Sequence, residues 1–539
     1  MASIKPMTEN IEHSIATKGM EAHIEKVNIP IMRTKEDDLG VWQSVKRYKR
    51  VSALAMIAAF SASLDGYQIN LNGGIVANKG FIRQMTSSET KIINSKYVSA
   101  WGESRLLVKQ SVKLCLLQYA TEKFGRKVAF YILTVFLTAS IFAESFATGW
   151  GTWLGAKLLS GLGVGMLQAT LPFYISEIAP TQLKGFLINA YTFWFVLGQL
   201  FASVALNRLN AHDPYDFRTA IYTQWAMIGI SIVIIVFIIP ESPWWLVSKD
   251  KQNQATKILQ QFYGRVEGYD VQEKINAMVA TVAAERRAAK ENAQEGWLSI
   301  FRGRNGVRFI IAAWPKITQQ FVGLSVFNTY ATYFFQYAGN KNPFLVTLIL
   351  SCVQIISMIF TSTLTDRFGR RPLTVWPYAV TVLSVLCLGI IGCFDYTQKA
   401  TSSLLIFFAC LATFTTTGAS AIGYAYAAEV PRQALRAQTA GWSLASSNFL
   451  SIMFSFCTPL MINGNAHWGV KTGFFFAATG SIAVVIGWFI LPEVTLRTPA
   501  EIDELFEKKV NFRKFKGHVT DVEVIARAHS GVVPQSGFV

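Results

Sequence analysis

Apolar residues run through this chain in blocks too long and too unbroken for an aqueous core. Examples are "GISIVIIVFIIP" (229–240) and "GSIAVVIGWFIL" (480–491), each closing a longer apolar segment. A helix rises about 1.5 Å per residue, so about 20 such residues cross the roughly 30 Å hydrocarbon layer of a bilayer. Helix is required because a segment in lipid must satisfy its own backbone hydrogen bonds. The pattern predicts twelve spans, near 51–76, 98–120, 128–148, 151–173, 186–206, 221–240, 307–337, 344–364, 373–393, 402–428, 437–462 and 472–491. They are numbered 1 to 12 below. The predicted fold class is an all-α membrane protein with twelve transmembrane helices. The first 50 residues are polar and lack the regions of a cleavable signal, which places both tails and the 241–306 loop on one aqueous side.

Composition supports this picture: 51% of residues are hydrophobic and only 15% charged, where a soluble chain carries about a quarter. The net charge of +17 raises a nucleic-acid reading, but the placement of the charge argues against one. Basic residues gather in short loops on one side, "EKFGRK" (122–127), "DRFGRR" (366–371) and "PRQALR" (431–436), and in the tail "EKKVNFRKFK" (507–516). That is the positive-inside pattern, which makes these loops and both termini cytoplasmic. The six cysteines (115, 352, 387, 393, 410, 457) all fall in predicted spans without paired spacing, so neither a disulfide framework nor a metal site is expected. No Walker motif and no nucleophile–base constellation appears, so no enzyme and no cofactor is expected.

The chain also repeats itself. "EKFGRK" returns as "DRFGRR", "SEIAPTQLKG" (176–185) as "AEVPRQALRA" (428–437), and "PES" (240–242) as "PEV" (492–494), the last two pairs about 252 residues apart. Order, spacing and span number are kept together, so two six-helix halves with a central midplane site are expected. The domains read as an N-terminal tail (1–50), a first half (51–240), a linker with amphipathic helix around 274–294 (241–306), a second half (307–492) and a C-terminal tail (493–539). Together with "PESPWWL", "QQFVGLSVFNTY" and "PEVTLRT", these motifs make the chain resemble the sugar-porter branch of the major facilitator superfamily over roughly residues 50–510. "PESPWWLVSKD" (240–250) and "TYATYFFQYAG" (329–339) resemble the fungal α-glucoside (maltose) permeases. The resemblance implies a plasma-membrane transporter, working as a monomer. It would move a sugar, an α-glucoside such as maltose or a hexose, by alternating access with protons. Export or exchange of a small non-sugar metabolite is the alternative. A nutrient sensor is disfavoured by the short C-terminal tail.

The resemblance also assigns roles. Glu122, Arg126, Glu177, Asp366, Arg370, Glu429 and Arg436 would form a charge network across the halves that latches the cytoplasmic face. Such pairs can bias two states separated by a few kcal/mol. Asp65, inside span 1, is an intramembrane acid and so a functional candidate. The family's usual acid position is Gln68 here and its span-4 arginine is Lys157, so a displaced Asp65–Lys157 proton switch is expected. For substrate, Gln319 and Gln320 carry amides that donate to and accept from hydroxyls at once. The resemblance adds Ser325, Tyr330, Gln354, Tyr424, Asn448 and Thr192, of which Ser325, Gln354, Tyr424 and Thr192 depart from the usual residue.

One stretch breaks the pattern. "GESRLLVKQSVKL" (102–114) puts Glu103, Arg105, Lys109 and Lys113 where the family has a glycine-rich, nearly uncharged second span. Each charge exposed to lipid there costs ~2.5–3.5 kcal/mol. Reverse-translated and read one base earlier, the segment permits a small-residue run of the family's kind. Residues near 103–113 are therefore expected to come from a shifted reading frame, against the plainer reading of charges facing a watery cavity.

Overall fold

The computed structural model describes residues 41–86, 93–111, 123–180, 183–264, 266, 269–295, 297–394, 398–432, 435–463, 468–495, 497 and 499–521. Among the described residues the secondary structure is entirely helical. Span 1 is two helices, Lys49–Ala59 and Ala62–Ile75, and span 2 is Ser95–Ser111. Spans 3 to 5 are Arg126–Phe146, Trp150–Ile178 and Lys184–His212. Span 6 runs from Arg218–Val233 into a π-helical turn, Ile234–Ile238. Span 7 is Gly303–Phe321, a π-helical turn Ser325–Thr329, and Ala331–Tyr337. Spans 8 to 12 are Pro343–Phe368, Pro372–Ile391, Lys399–Glu429, Arg436–Asn463 and Thr472–Ile490.

Nine of the described helices are long and apolar enough to cross a membrane; spans 1, 2 and 7 are not among them. Their physical reasons differ. Span 1 breaks at Phe60–Ser61, and span 7 at Gly323, whose φ of 91° lies outside the helical range. Span 2 is described only to Ser111 and carries the charges at 103, 105 and 109. Breaks of this kind in two spans of a bundle are tolerated where the backbone lies inside protein instead of facing lipid. The bundle's outer surface is apolar, with Phe237, Val135, Phe146, Leu383 and Ile482 all more than half exposed; in water that surface would aggregate, and in lipid it is solvated.

The sequence repeat returns as a repeat of contacts. Tyr174 donates to the Pro240 carbonyl at 2.9 Å, and Tyr426 to that of Pro492 at 2.8 Å. Glu241 accepts the backbone N–H groups of Arg126 and Lys127, and Glu493 those of Arg370 and Arg371. Each carboxylate thus caps the start of a span, where unsatisfied N–H groups collect. The residue ahead of each cap is a glycine at positive φ, Gly125 (100°) and Gly369 (90°). A Cβ there would stand 2.5 Å from Glu241 Oε2 or 2.7 Å from Glu493 Oε2.

The halves meet through spans 2 and 11 and through spans 5 and 8. Their described hydrogen bonds lie toward the end of the bundle remote from the linker. Gln199 donates to Asn328 at 2.9 Å, Ser203 and Ser351 share a hydroxyl contact at 2.9 Å, and Ser99 donates to the Phe456 carbonyl at 2.9 Å. At the linker end, helices Pro243–Ser248, Gln252–Tyr263 and Val271–Glu295 pack on the first half, with Tyr263 donating to the Ile178 carbonyl at 2.6 Å. The tail helix Pro499–Glu507 packs on the second half, where Asp503 pairs with Arg308.

Candidate functional site

Inside the first half the structure re-pairs the charges that the sequence assigned. Lys157, fully buried, bonds Glu144 of span 3 at 2.9 Å, and Asp65 is not its partner. Asp65, also fully buried, faces Arg105 of span 2 at 3.5 Å and accepts from Gln168 and from the Tyr191 hydroxyl (3.3 Å). The direct Asp65–Lys157 pair is therefore corrected, and the reason is axial position. Asp65 lies one turn before Gln68 in span 1, and its carboxylate meets the long side chain of Gln168, well beyond Lys157 along span 4. Gln68 is at the level of Lys157 and accepts from it at 3.4 Å. The basic residue therefore still meets the family's acid position, but the carboxylate comes from another helix. Gln68 and Gln224 both donate to Glu144 Oε2, at 3.3 and 3.1 Å, and bond each other. Sequence reasoning missed Glu144. Its signal was a single acid, in "FAESF", near the end of an otherwise apolar span.

Span 2 packs in the place its number predicts. Gly161 and Gly165 of span 4 leave room for its backbone: a Cβ on either would stand 2.6 Å from the Arg105 carbonyl oxygen or 2.7 Å from that of Lys109. Arg105 and Lys109, one turn apart, are both buried. The side chain of Glu103, and residue 113, lie outside the described residues.

In the second half, Gln319 and Gln320 are buried in the last turn of the first helix of span 7. Gln319 Oε1 accepts from Lys316 Nζ at 3.3 Å, and that ammonium also donates to Ser420 at 2.9 Å and lies 3.5 Å from the centre of the Tyr424 ring. Tyr424 is half exposed and lies within electrostatic reach of Asp65 in the opposite half, so it lines the cleft between the halves. Gln354, buried in span 8, borders a small cleft with Asn328, Thr413, Thr416 and Thr417, and its Oε1 has no hydrogen-bond partner among the described residues. Asn448 and Thr192 are half-buried. Tyr330 is buried instead of facing the cleft, with its hydroxyl packed against Gly102 across the half-to-half boundary. The side chain of Ser325 lies outside the described residues. Lys316 also escaped the sequence reading, although "WPKITQQ" places a cation within an apolar run.

At the linker end, Arg126 pairs with Glu177 at 2.7 Å and Arg370 with Glu429 at 2.8 Å. Both pairs lie within a half. In its described part, the network expected to cross the halves is thus two matching local pairs, each beside a capped span start. Glu122 and the side chains of Asp366 and Arg436 lie outside the described residues.

Known proteins are similar to this chain in sequence and fold. The family described as sugar (and other) transporter matches residues 54–506. A general alpha-glucoside permease of Saccharomyces cerevisiae is 26% identical over 505 residues, covering 90% of this chain and 80% of the permease. The major facilitator-type transporter ecdD of Aspergillus rugulosus is 26% identical over 480 residues, covering 83% of this chain and 86% of the relative. The inward open conformation of the xylose transporter XylE from E. coli superposes with a TM-score of 0.67 at 19% identity, covering 84% of this chain and 99% of the other. The fold is thus the two-half transporter fold that the repeat predicted. With the match running from the first span into the tail helix, the chain belongs to the sugar (and other) transporter family.

Proposed function

We propose that this chain moves a sugar, an α-glucoside such as maltose or a hexose, across the plasma membrane by alternating access, with protons. The observation that carries this reading is the set of amides and hydroxyls on the second half: Gln319 and Gln320 beside the break in span 7, and Gln354, Asn328, Thr413, Thr416 and Thr417 around one cleft. Amides and hydroxyls both donate and accept, which suits a ligand made of hydroxyl groups. The Oε1 of Gln354, without a hydrogen-bond partner among the described residues, is an acceptor that a ligand hydroxyl would satisfy.

On this reading the basic loops and both tails are cytoplasmic, so that the half-to-half hydrogen bonds would close the outer end and the arrangement would be inward-facing. Formation of the latch would then require the pairs Arg126–Glu177 and Arg370–Glu429 to be drawn against the opposite half when the inner end closes. The coupling acid would be Glu144, holding in Lys157 a basic partner that protonation releases, with Asp65 a second such acid where Arg105 is the encoded residue. Uptake of labelled maltose and glucose into transporter-deficient yeast, with and without a proton uncoupler, tests this. Accumulation of at least one sugar that collapses with the uncoupler is the expected result. No sugar uptake at normal surface expression would overturn it.

A further inference from the structure

Lys316 is an intramembrane cation with no acid against it among the described residues. It is 5% exposed, and the described partners of its ammonium are neutral: Gln319 Oε1, Ser420 Oγ and the Tyr424 ring. Among the described residues no carboxylate lies within ion-pair distance of it, whereas Lys157, Arg105, Arg126, Arg308 and Arg370 each have one. The position is built to hold this side chain. Its stem runs along Gly423, where a Cβ would stand 3.2 Å from Lys316 Cγ, and Ser447 donates to its backbone carbonyl at 2.8 Å. A buried charge left without a counter-ion is costly, and inside a membrane such a group marks a substrate or ion pathway. Here the ring beside the ammonium is that of Tyr424, which opens onto the cleft, and the amide beside it belongs to the Gln319–Gln320 pair.

We infer that Lys316 is a carboxylate-recognition element of the substrate site, so that the site takes sugar acids in preference to their neutral counterparts. The inference rests on the sugar-transport reading and narrows its substrate class to polyhydroxylated monocarboxylates, such as hexuronates or aldonates. The amides would hold the hydroxyl groups, and the ammonium would receive the carboxylate in a charge-assisted hydrogen bond. Asp65 is the rival counter-ion: if the halves carried it to Lys316 on closing, the site would need no anionic ligand.

The test is competition binding to the purified full-length protein, comparing glucuronate with glucose and gluconate with glucitol. Each acid is expected to bind at least about tenfold more tightly than its neutral partner, the ratio set by one charged hydrogen bond. In Lys316→Gln that ratio is expected to fall to about one, and in Lys316→Arg to stay above it. Equal affinity for acid and neutral ligand in the unaltered protein overturns the inference while leaving sugar transport standing, and does not depend on how any variant folds. An acid preference that survives Lys316→Gln overturns the assignment to Lys316. Failure of all four ligands to bind overturns the inference, and the sugar-transport reading falls with it only if maltose also fails to bind.

Discussion

Replacing Glu144 by glutamine tests how the membrane interior of the first half is held together. Glu144 is 1% exposed and accepts from Lys157 (2.9 Å), Gln224 (3.1 Å), Gln68 (3.3 Å) and Ser140 (3.5 Å). Both carboxylate oxygens are in use: Oε1 faces Lys157 and Ser140, and Oε2 faces the two glutamine amides. An amide of the same shape turns one of these acceptors into a donor, so either Lys157 or the glutamine pair then meets a donor. Lys157, fully buried, is also left without its counter-charge. Breaking a buried pair from one side costs about 3–5 kcal/mol, or two to four orders of magnitude in the folding equilibrium. The expected result in a detergent unfolding titration is a loss of that size for Glu144→Gln, and recovery of most of it in Glu144→Gln/Lys157→Met, where no charge remains. In proteoliposomes both variants are expected to exchange substrate down a gradient and to accumulate none. A Glu144→Gln protein as stable as the unaltered one would refute the energetic argument. Accumulation by the uncharged double variant would refute the coupling role.

Three further outcomes are expected. Gln319→Ala and Gln320→Ala should each raise the half-saturation concentration by an amount corresponding to ~1–3 kcal/mol; an unaltered value in both moves the substrate site elsewhere. Gly125→Ala and Gly369→Ala should each destabilise the protein by about 1–3 kcal/mol, since both force a side chain into the positive-φ region beside a capping carboxylate; thermal melts should show Gly155→Ala, whose Cβ meets nothing within 4 Å, unchanged. Transcript sequencing across residues 103–113 should reveal a shifted frame; an uninterrupted message encoding Glu103 to Lys113 refutes it. In that case Arg105 is the native partner of Asp65, and Arg105→Leu should lose about 3–5 kcal/mol through the stranded carboxylate.

Much of the architecture was legible in the residues because lipid restricts the choices. A run of about 20 apolar residues has one stable form in a bilayer, a helix, so the positions of spans 3 to 6 and 8 to 12 followed from hydropathy alone. The repeated motifs carried the two-fold relation of the halves, since Glu241 and Glu493 do the same local job on the next span's N–H groups in each. Partnership between distant charges was not legible. Hydropathy places a residue at a depth but leaves its azimuth free, and a bundle decides which helix stands opposite. Asp65 and Lys157 are both intramembrane and of opposite sign, which made them a pair on paper. Packing of span 4 against span 1 brings Gln68, one turn further along, to Lys157, and the bundle gives each charge a nearer partner, Arg105 and Glu144. The same holds for Lys316. Its place in an apolar run is plain in the sequence, but only the packing of spans 7, 10 and 11 leaves its ammonium among neutral groups beside the cleft.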